Sequence, residues 1–432
     1  MNPDELKARH DAVLPGWMPL YYERPMELVR GEGYRVWDSE GNEYLDFFGG
    51  IVTTISGHAI PEISEAIKSQ ADKIVHSSTL YLIENQIRLA ERLTELAPIS
   101  GDKKVFFTVS GTEANEAALL FATRYRGSSE IVALRSSYHG RSFATMAITG
   151  QSTWSPTSHS PLDVKYLANP YKYRCPFCRD EPRCNLLCAD DLRGLIEAET
   201  TGHVAAFIAE PIQGVGGFIE IPPGYFERVK EILDEYDILL ISDEVQTAFG
   251  RTGDNFWGIE AHGVEPDLIT MAKGLGNGLA IGGVVARGDL MDCLGANSLS
   301  TFGGNPVSTA AGNAVVDYVL NHDLQANAKR VGTILLDGLR AVASQAPIVA
   351  EVRGRGLMIA VEFVRPGTTE PDPAATVRVF DECMRGGLLV GKGGLYNNVL
   401  RMGPPLTLTE EEAREGLAVL TDAINRVAAE PF

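Results

Sequence analysis

Two periodicities divide the chain. Residues 34–47, YRVWDSEGNEYLDF, alternate apolar and polar positions around an Asp-Ser-Glu-Gly-Asn turn, which predicts a hairpin. Residues 62–74 and 84–97 follow with helical spacing, and in the second Ile87, Leu89, Ala90, Leu93 and Leu96 favour one side. From residue 104 short, continuous apolar runs take over: VFFTV at 105–109, IVAL at 131–134, VAAFIA at 204–209, ILLIS at 238–242, LITMA at 268–272 and VVA at 284–286. Helical patterns separate several of them, one directly after 109 and one over 224–236. Such runs predict strands buried on both faces of a mostly parallel sheet, hence an α/β fold.

A second unit starts near residue 325. A long helix is expected first, then a strand at 356–363, a helix at 374–386, short strands near 388 and 399, and a last helix at 409–428. The expected organisation is a large domain over 71–324 and a small α+β domain over 325–432. The segment 1–70, with its hairpin, packs with the small domain, which is thus built from both chain ends.

Composition narrows the function classes. With 38 Lys or Arg against 57 Asp or Glu, the 432-residue chain carries a net charge of −19. Phosphate-rich partners repel that charge and no basic block offsets it, so neither nucleic acid nor an anionic membrane is an expected partner. No apolar run approaches the ~18 residues of a membrane helix, and the start MNPDELKARHD lacks the apolar core of a secretory signal. Six cysteines in a chain of this length make no disulfide framework. A soluble protein of the reducing cytoplasm is expected. The 44 glycines exceed ordinary usage and point to tight turns and close backbone approach to a ligand.

Open α/β sheets bind ligands beyond the carboxyl ends of their strands. After VFFTV stands Ser110-Gly111-Thr112-Glu113-Ala114-Asn115, opening a helix. A helix N-terminus offers free N–H groups to a phosphate, although Ser110 and Glu113 also fit a plain capping box. After IVAL stands Tyr138-His139-Gly140-Arg141, where an aromatic can stack on a flat ring or merely pack its loop. Glu210 directly follows VAAFIA and Asp243 directly follows ILLIS. Each is a carboxylate at a buried strand end, where it needs partners, structural or functional. Lys273 ends LITMA. A desolvated lysine loses proton affinity and can form a Schiff base, whereas a snorkelling lysine would do nothing. Taken together, a phosphate cup, an aromatic, an acid and an amine on one sheet edge are what pyridoxal phosphate requires.

The same residues carry a family resemblance. SGTEAN at 110–115, SYHGR at 137–141, AEPIQG at 209–214, ISDEVQTAFGRTG at 241–253, TMAKGLGNG at 270–278 and TFGGNP at 301–306 resemble class III (subgroup II) pyridoxal-phosphate aminotransferases of fold type I. The likeness spans nearly the whole chain. It implies Lys273 as the internal-aldimine lysine and proton shuttle, and Asp243 as partner of the pyridinium nitrogen. It also implies Gly111 and Thr112 in the phosphate cup, and Tyr138, or His139 beside it, as the stacking residue. Val245 would pack the other ring face and Gln246 would reach the ring hydroxyl. Thr301 resembles a residue given to the neighbouring subunit's phosphate, which implies an obligate homodimer or a tetramer made of two such dimers.

DFFGGIVTTISGH at 46–58 and the cysteine-bearing insert near 175–188 look most like the alanine–glyoxylate or β-amino-acid–pyruvate branch. Arg401 in LRMGPPL matches the arginine that clamps a substrate carboxylate, with Ile51 and Glu210 as further substrate contacts. Ornithine and 4-aminobutyrate enzymes carry a Glu directly after EPIQG to pair with that arginine; here the position is Val215. Arg401 is thereby left for an α-carboxylate, and ornithine is disfavoured. The loops around 17–22, 51–56 and 150–160 are expected to shape the substrate pocket.

The resemblance implies a ping-pong transaminase taking alanine, a β-amino acid or a related amine as donor and pyruvate or glyoxylate as acceptor. A racemase, epimerase, decarboxylase or phospho-lyase on the same scaffold is the alternative. Cys175, Cys178, Cys184 and Cys188 are spaced C-x2-C-x5-C-x3-C. That spacing leaves open a four-thiolate zinc site, buried free thiols or a redox-labile pair, and no metal is assigned to it.

Overall fold

A seven-stranded sheet forms the centre of the molecule. Its order in space is Lys103–Thr108, Gly282–Arg287, Leu268–Met271, Leu239–Asp243, Ala206–Ala209, Glu130–Leu134 and Asp163–Leu167. All neighbours pair in parallel except around Gly282–Arg287, which runs against both of its partners. The inner strands are buried on both faces, which is why they read as unbroken apolar runs rather than alternations. The computed structural model describes residues 3–18 and 20–430. Residues 1, 2, 19, 431 and 432 lie outside the described residues, including Pro19 of the expected pocket loop 17–22 and the extreme ends of the two terminal segments.

Helices cover the sheet. Gly111–Arg126 and Tyr225–Glu235 coincide with the predicted helices, and Glu84–Leu96 buries Leu89 and Leu93. Among the elements with no counterpart in the sequence pattern, three stand out. Asp163–Leu167 (DVKYL) is a half-exposed edge strand, so its pattern is too polar to stand out. Pro306–Asn321 is buried around most of its circumference by Ala310, Ala311, Val315, Val316 and Val319, so it shows no polar face against which a stripe could be seen. Leu187–Glu199 follows the cysteine insert directly.

Towards the C-terminus the single strand expected over 356–363 is a hairpin, Val349–Arg355 pairing antiparallel with Met358–Phe363. The sheet continues to Val399–Met402 and Gly391–Gly393. The N-terminal hairpin, Arg35–Asp38 with Glu43–Asp46, is extended on one side by Leu28–Glu32 and on the other by Leu388–Leu389. Strands from the two ends of the chain therefore share a sheet. Among the described residues no helix is long and apolar enough to cross a membrane.

Candidate active site

The carboxyl ends of the parallel strands open into a cavity of about 410 Å³. Its wall contains Gly111, Thr112, Asn115, Tyr138, His139, Glu210, Asp243, Val245, Gln246 and Lys273. Nine residues singled out from sequence thus meet in one place, together with Asn115. They converge because they stand at or within a few residues beyond the carboxyl ends of strands that point the same way.

Asp243 is buried and held by three donors. Asn115 Nδ2 (2.8 Å) and His139 Nδ1 (2.7 Å) both meet Oδ2, and the Val245 amide donates to Oδ1 at 3.1 Å. With Asp243 as acceptor, His139 carries its proton on Nδ1, and its buried Nε2 has no partner. The His139 ring is therefore turned to the acid, while Tyr138 lies at the rim, edge-on to Trp154 with 5.5 Å between ring centroids. Asn115 was not singled out from sequence. The available signal was its place one helical turn beyond Gly111, which brings both to the same face.

Lys273 leaves its strand in the left-handed region, at φ 40°, which turns the chain sharply at the strand end. Burial lowers its proton affinity from the usual lysine value to about 8, against the opposing pull of Asp243 and Glu210. Glu210 is pushed up to about 7, mainly by burial. Its oxygens accept from the Tyr138 amide (3.0 Å) and the Gly214 amide (2.8 Å), so it ties two loops of the cavity together.

At the other end of the cavity Ser110 caps the helix Gly111–Arg126, accepting from the Glu113 amide at 3.3 Å. Glu113 reaches back to the Val109 amide rather than to that of Ser110, so the expected box is only half formed. Thr112 Oγ1 joins Ser142 Oγ (2.8 Å) and Thr145 Oγ1 (2.9 Å). A side chain at Gly111 would press Val245 Cγ1 at 2.9 Å, and one at Gly214 would meet Gln246 Nε2 at 2.1 Å. Gln246 Oε1 is buried without a partner.

Arg401 does not line this cavity but lies buried beside it. Its Nη1 donates to Gly214 O (3.1 Å), and Nε and Nη2 donate to Lys392 O at 3.1 and 2.7 Å. Burial lowers its proton affinity, and Tyr21 opposes that shift through its charge and a hydrogen bond. Val215 is buried, and no carboxylate pairs with Arg401 among the described ion pairs. Tyr21, packed on Phe48 with 5.2 Å between ring centroids, and Lys392 are neighbours of Arg401 that the sequence reading did not single out. Ile51, expected as a substrate contact, is 46% exposed and outside the cavity wall; Thr53 from the same loop lines it instead. Thr301 is exposed and also outside the wall.

The family model for class III aminotransferases matches residues 21–424. Alanine–glyoxylate aminotransferase 2 homolog 2 of Arabidopsis thaliana is 42% identical, the match covering 95% of this chain and 85% of that protein. A leucine/methionine racemase of Thermococcus litoralis is 36% identical over 98% of this chain and 96% of its own. Among solved structures, a PLP-bound amine transaminase from an uncultivated Pseudomonas species superposes with a TM-score of 0.89 at 32% identity, covering 96% of this chain and 98% of that one.

Proposed function

From the premise that this chain belongs to the class III aminotransferases, a family of pyridoxal-phosphate enzymes of fold type I, we propose that it moves an amino group from a small amino acid to a small 2-oxo acid. Alanine or a β-amino acid is the donor in this reading, and pyruvate or glyoxylate the acceptor. The observation that carries it is Val215 where a carboxylate would neutralise Arg401: the guanidinium keeps its charge for a substrate carboxylate.

The residues present fit pyridoxal 5′-phosphate. Gly111 and Thr112 open a capped helix whose free N–H groups suit a phosphate. Gln246 is on the cavity wall and its Oε1 is a buried acceptor without a donor, which a ring hydroxyl could supply. Val245 and Tyr138 would lie on the two ring faces. When bound, the cofactor supplies an electrophilic carbon and an electron sink for charge developing at the substrate α-carbon.

The chain's own residues supply the rest. Asp243, fixed in orientation by Asn115, His139 and the Val245 amide, would face the pyridine nitrogen and hold a proton on it. Lys273, partly neutral near pH 8, takes the proton from the substrate α-carbon. Arg401 orients the donor and then the acceptor through their shared carboxylate. Glu210 holds the Tyr138 and Gly214 loops in place from behind.

Exposed Phe302, Leu80, Tyr81 and Leu82 lie on the same molecule as exposed Thr301 and support a homodimer in which Thr301 completes the partner's phosphate site. Six unpaired cysteines fit a reducing compartment such as the cytoplasm. The similarity to a leucine/methionine racemase supports a second reading, racemisation, in which the same proton transfer ends on the opposite face of the α-carbon. Replacing Lys273 by Ala tests the shared core of both readings. The variant should lose the yellow cofactor absorbance and turnover together, and one that kept both would refute the assignment of Lys273.

A further inference from the structure

Arg353, Ala360 and Arg401 stand in one row across three neighbouring strands of the C-terminal sheet, Ala360 pairing with Arg353 on one side and Arg401 on the other. Residues directly opposite one another in a sheet project to the same face. Both arginines therefore rise from one face, two strand spacings or about 10 Å apart, with the small Ala360 between them. Both are buried. A single turn, Gly214 to Phe218, lies over the two. Gly214 O accepts from Arg401 Nη1 at 3.1 Å, and Gly217 O accepts from Arg353 Nε (3.0 Å) and Nη2 (2.8 Å). The Phe218 ring packs with Met358, Ala360 and Val399, and its centroid is 5.5 Å from the Arg401 guanidinium.

That turn is tightly wound. Gly214 O also receives the amides of Gly217 and Phe218, both at 3.2 Å. Closing it takes φ +113° at Gly217 and φ +50° at Phe218. A bulky residue in the left-handed region is strained and persists only where its surroundings over-determine it. Arg353 supplies that constraint, with two N–H groups on one carbonyl. Its remaining end donates from Nη1 to the Tyr171 hydroxyl (2.6 Å), Glu351 (2.7 Å) and Glu362 (2.9 Å), and Arg174 backs Glu362 at 2.6 Å. One arginine of the row is thus neutralised and given to the turn. With the other, no carboxylate forms an ion pair among the described residues, and three of its N–H groups go to the carbonyls of Gly214 and Lys392, which fixes the guanidinium plane.

We propose that Arg353 is a positioning residue for binding of the substrate carboxylate: it holds the Gly214–Phe218 turn, and the turn sets the plane of Arg401. The proposal rests on the reading of Arg401 as the carboxylate clamp. Arg353 is absent from the cavity wall, so its influence passes through the turn. A relaxed turn would carry Gly214 O away from Arg401 and free the guanidinium to rotate, weakening a two-point hold on a carboxylate while leaving Lys273 and Asp243 in place.

The test is steady-state kinetics of the Arg353→Lys holoenzyme, with alanine as donor and glyoxylate as acceptor. Lysine keeps a positive charge beside Glu351 and Glu362 but cannot grip Gly217 O with two donors while it bonds the acids. KM for alanine should rise roughly tenfold, with kcat within about twofold and the cofactor absorbance unchanged. In an Arg401→Ala background the same substitution should add nothing, because the group it serves is gone. Gly217→Ala leaves the ion network intact and disturbs the turn alone, its new side chain meeting Arg353 Nη2 at 3.0 Å and Val399 Cγ2 at 3.2 Å. It should give the same selective rise, and it carries the test if Arg353→Lys does not fold. A KM raised by Arg401→Ala but by neither other variant would overturn the proposal and leave the clamp reading standing. A KM unmoved by Arg401→Ala would remove both. Effects that add in the double variant, or a loss confined to kcat, would place the role of Arg353 elsewhere and overturn the proposal.

Discussion

His139 Nδ1 stands 2.7 Å from Asp243 Oδ2, with both side chains withdrawn from water. A carboxylate at the end of a buried strand is costly unless donors surround it, and here Asn115, His139 and the Val245 amide do so. The arrangement fixes one acid in one direction.

Replacing Asp243 by Asn removes the charge while keeping the shape. Turnover should fall by at least ~100-fold, the scale of losing a preorganised electrostatic partner. His139→Ala should cost less, about tenfold in kcat with KM little changed, because it acts by positioning Asp243. Steady-state kinetics of both variants checks this. Equal losses in the two would mean that His139 touches the reaction itself.

Burial holds Lys273 at about 8 in place of the ordinary lysine value. Only the neutral amine attacks an aldehyde, so cofactor uptake by the apoenzyme should rise roughly tenfold from pH 7 to pH 9 and then level. The folded state binds fewer protons at this site than the unfolded chain between pH 8 and 10.5. This group's contribution to apoenzyme stability therefore rises with pH across that window. Stopped-flow uptake at several pH values decides; a profile still climbing steeply above pH 10 would mean an unshifted lysine.

Arg401 lies buried against the Gly214 carbonyl, and among the described residues no carboxylate forms an ion pair with it. Arg401→Ala should raise KM for alanine by roughly 10- to 100-fold, the loss of charge-assisted hydrogen bonds. An arylalkyl amine without a carboxylate should be little affected. Val215→Glu should raise KM for α-amino acids by giving the arginine an internal partner. If both substrate types responded alike, Arg401 would not be the carboxylate clamp.

Gly140 has φ +142°, and a side chain there would meet Thr112 Oγ1 at 2.4 Å and Thr145 Oγ1 at 2.7 Å. Gly140→Ala should cost about 2 kcal/mol and loosen the cofactor by tenfold or more, since Thr112 must yield. Thermal melting with cofactor titration measures both.

Most of the sheet was legible because strands buried on both faces leave apolar runs that few helices imitate, as at Leu239–Asp243. Asp163–Leu167 was not, since an edge strand exposes Asp163 and half-exposes Lys165. Pro306–Asn321 carried a start signal in Asn305, which caps it, with Pro306 at its first position, but no stripe. Site residues at strand ends could be read because the topology gathers such ends. That His139 faces the acid while Tyr138 keeps the rim depends on a bend in one loop, which spacing does not encode. The exposure of Ile51 and the backbone bonds of Arg401 are likewise matters of loop packing.

The central claim, that the Lys273–Asp243 cavity carries out transamination, is tested most directly by mixing the yellow holoenzyme with alanine alone and recording its spectrum. The account predicts that the yellow band bleaches to a near-ultraviolet one, stays bleached while pyruvate accumulates to one equivalent, and returns on adding glyoxylate. A band that persists or recovers unaided while D-alanine or another product builds up would contradict it and establish a racemase or lyase instead.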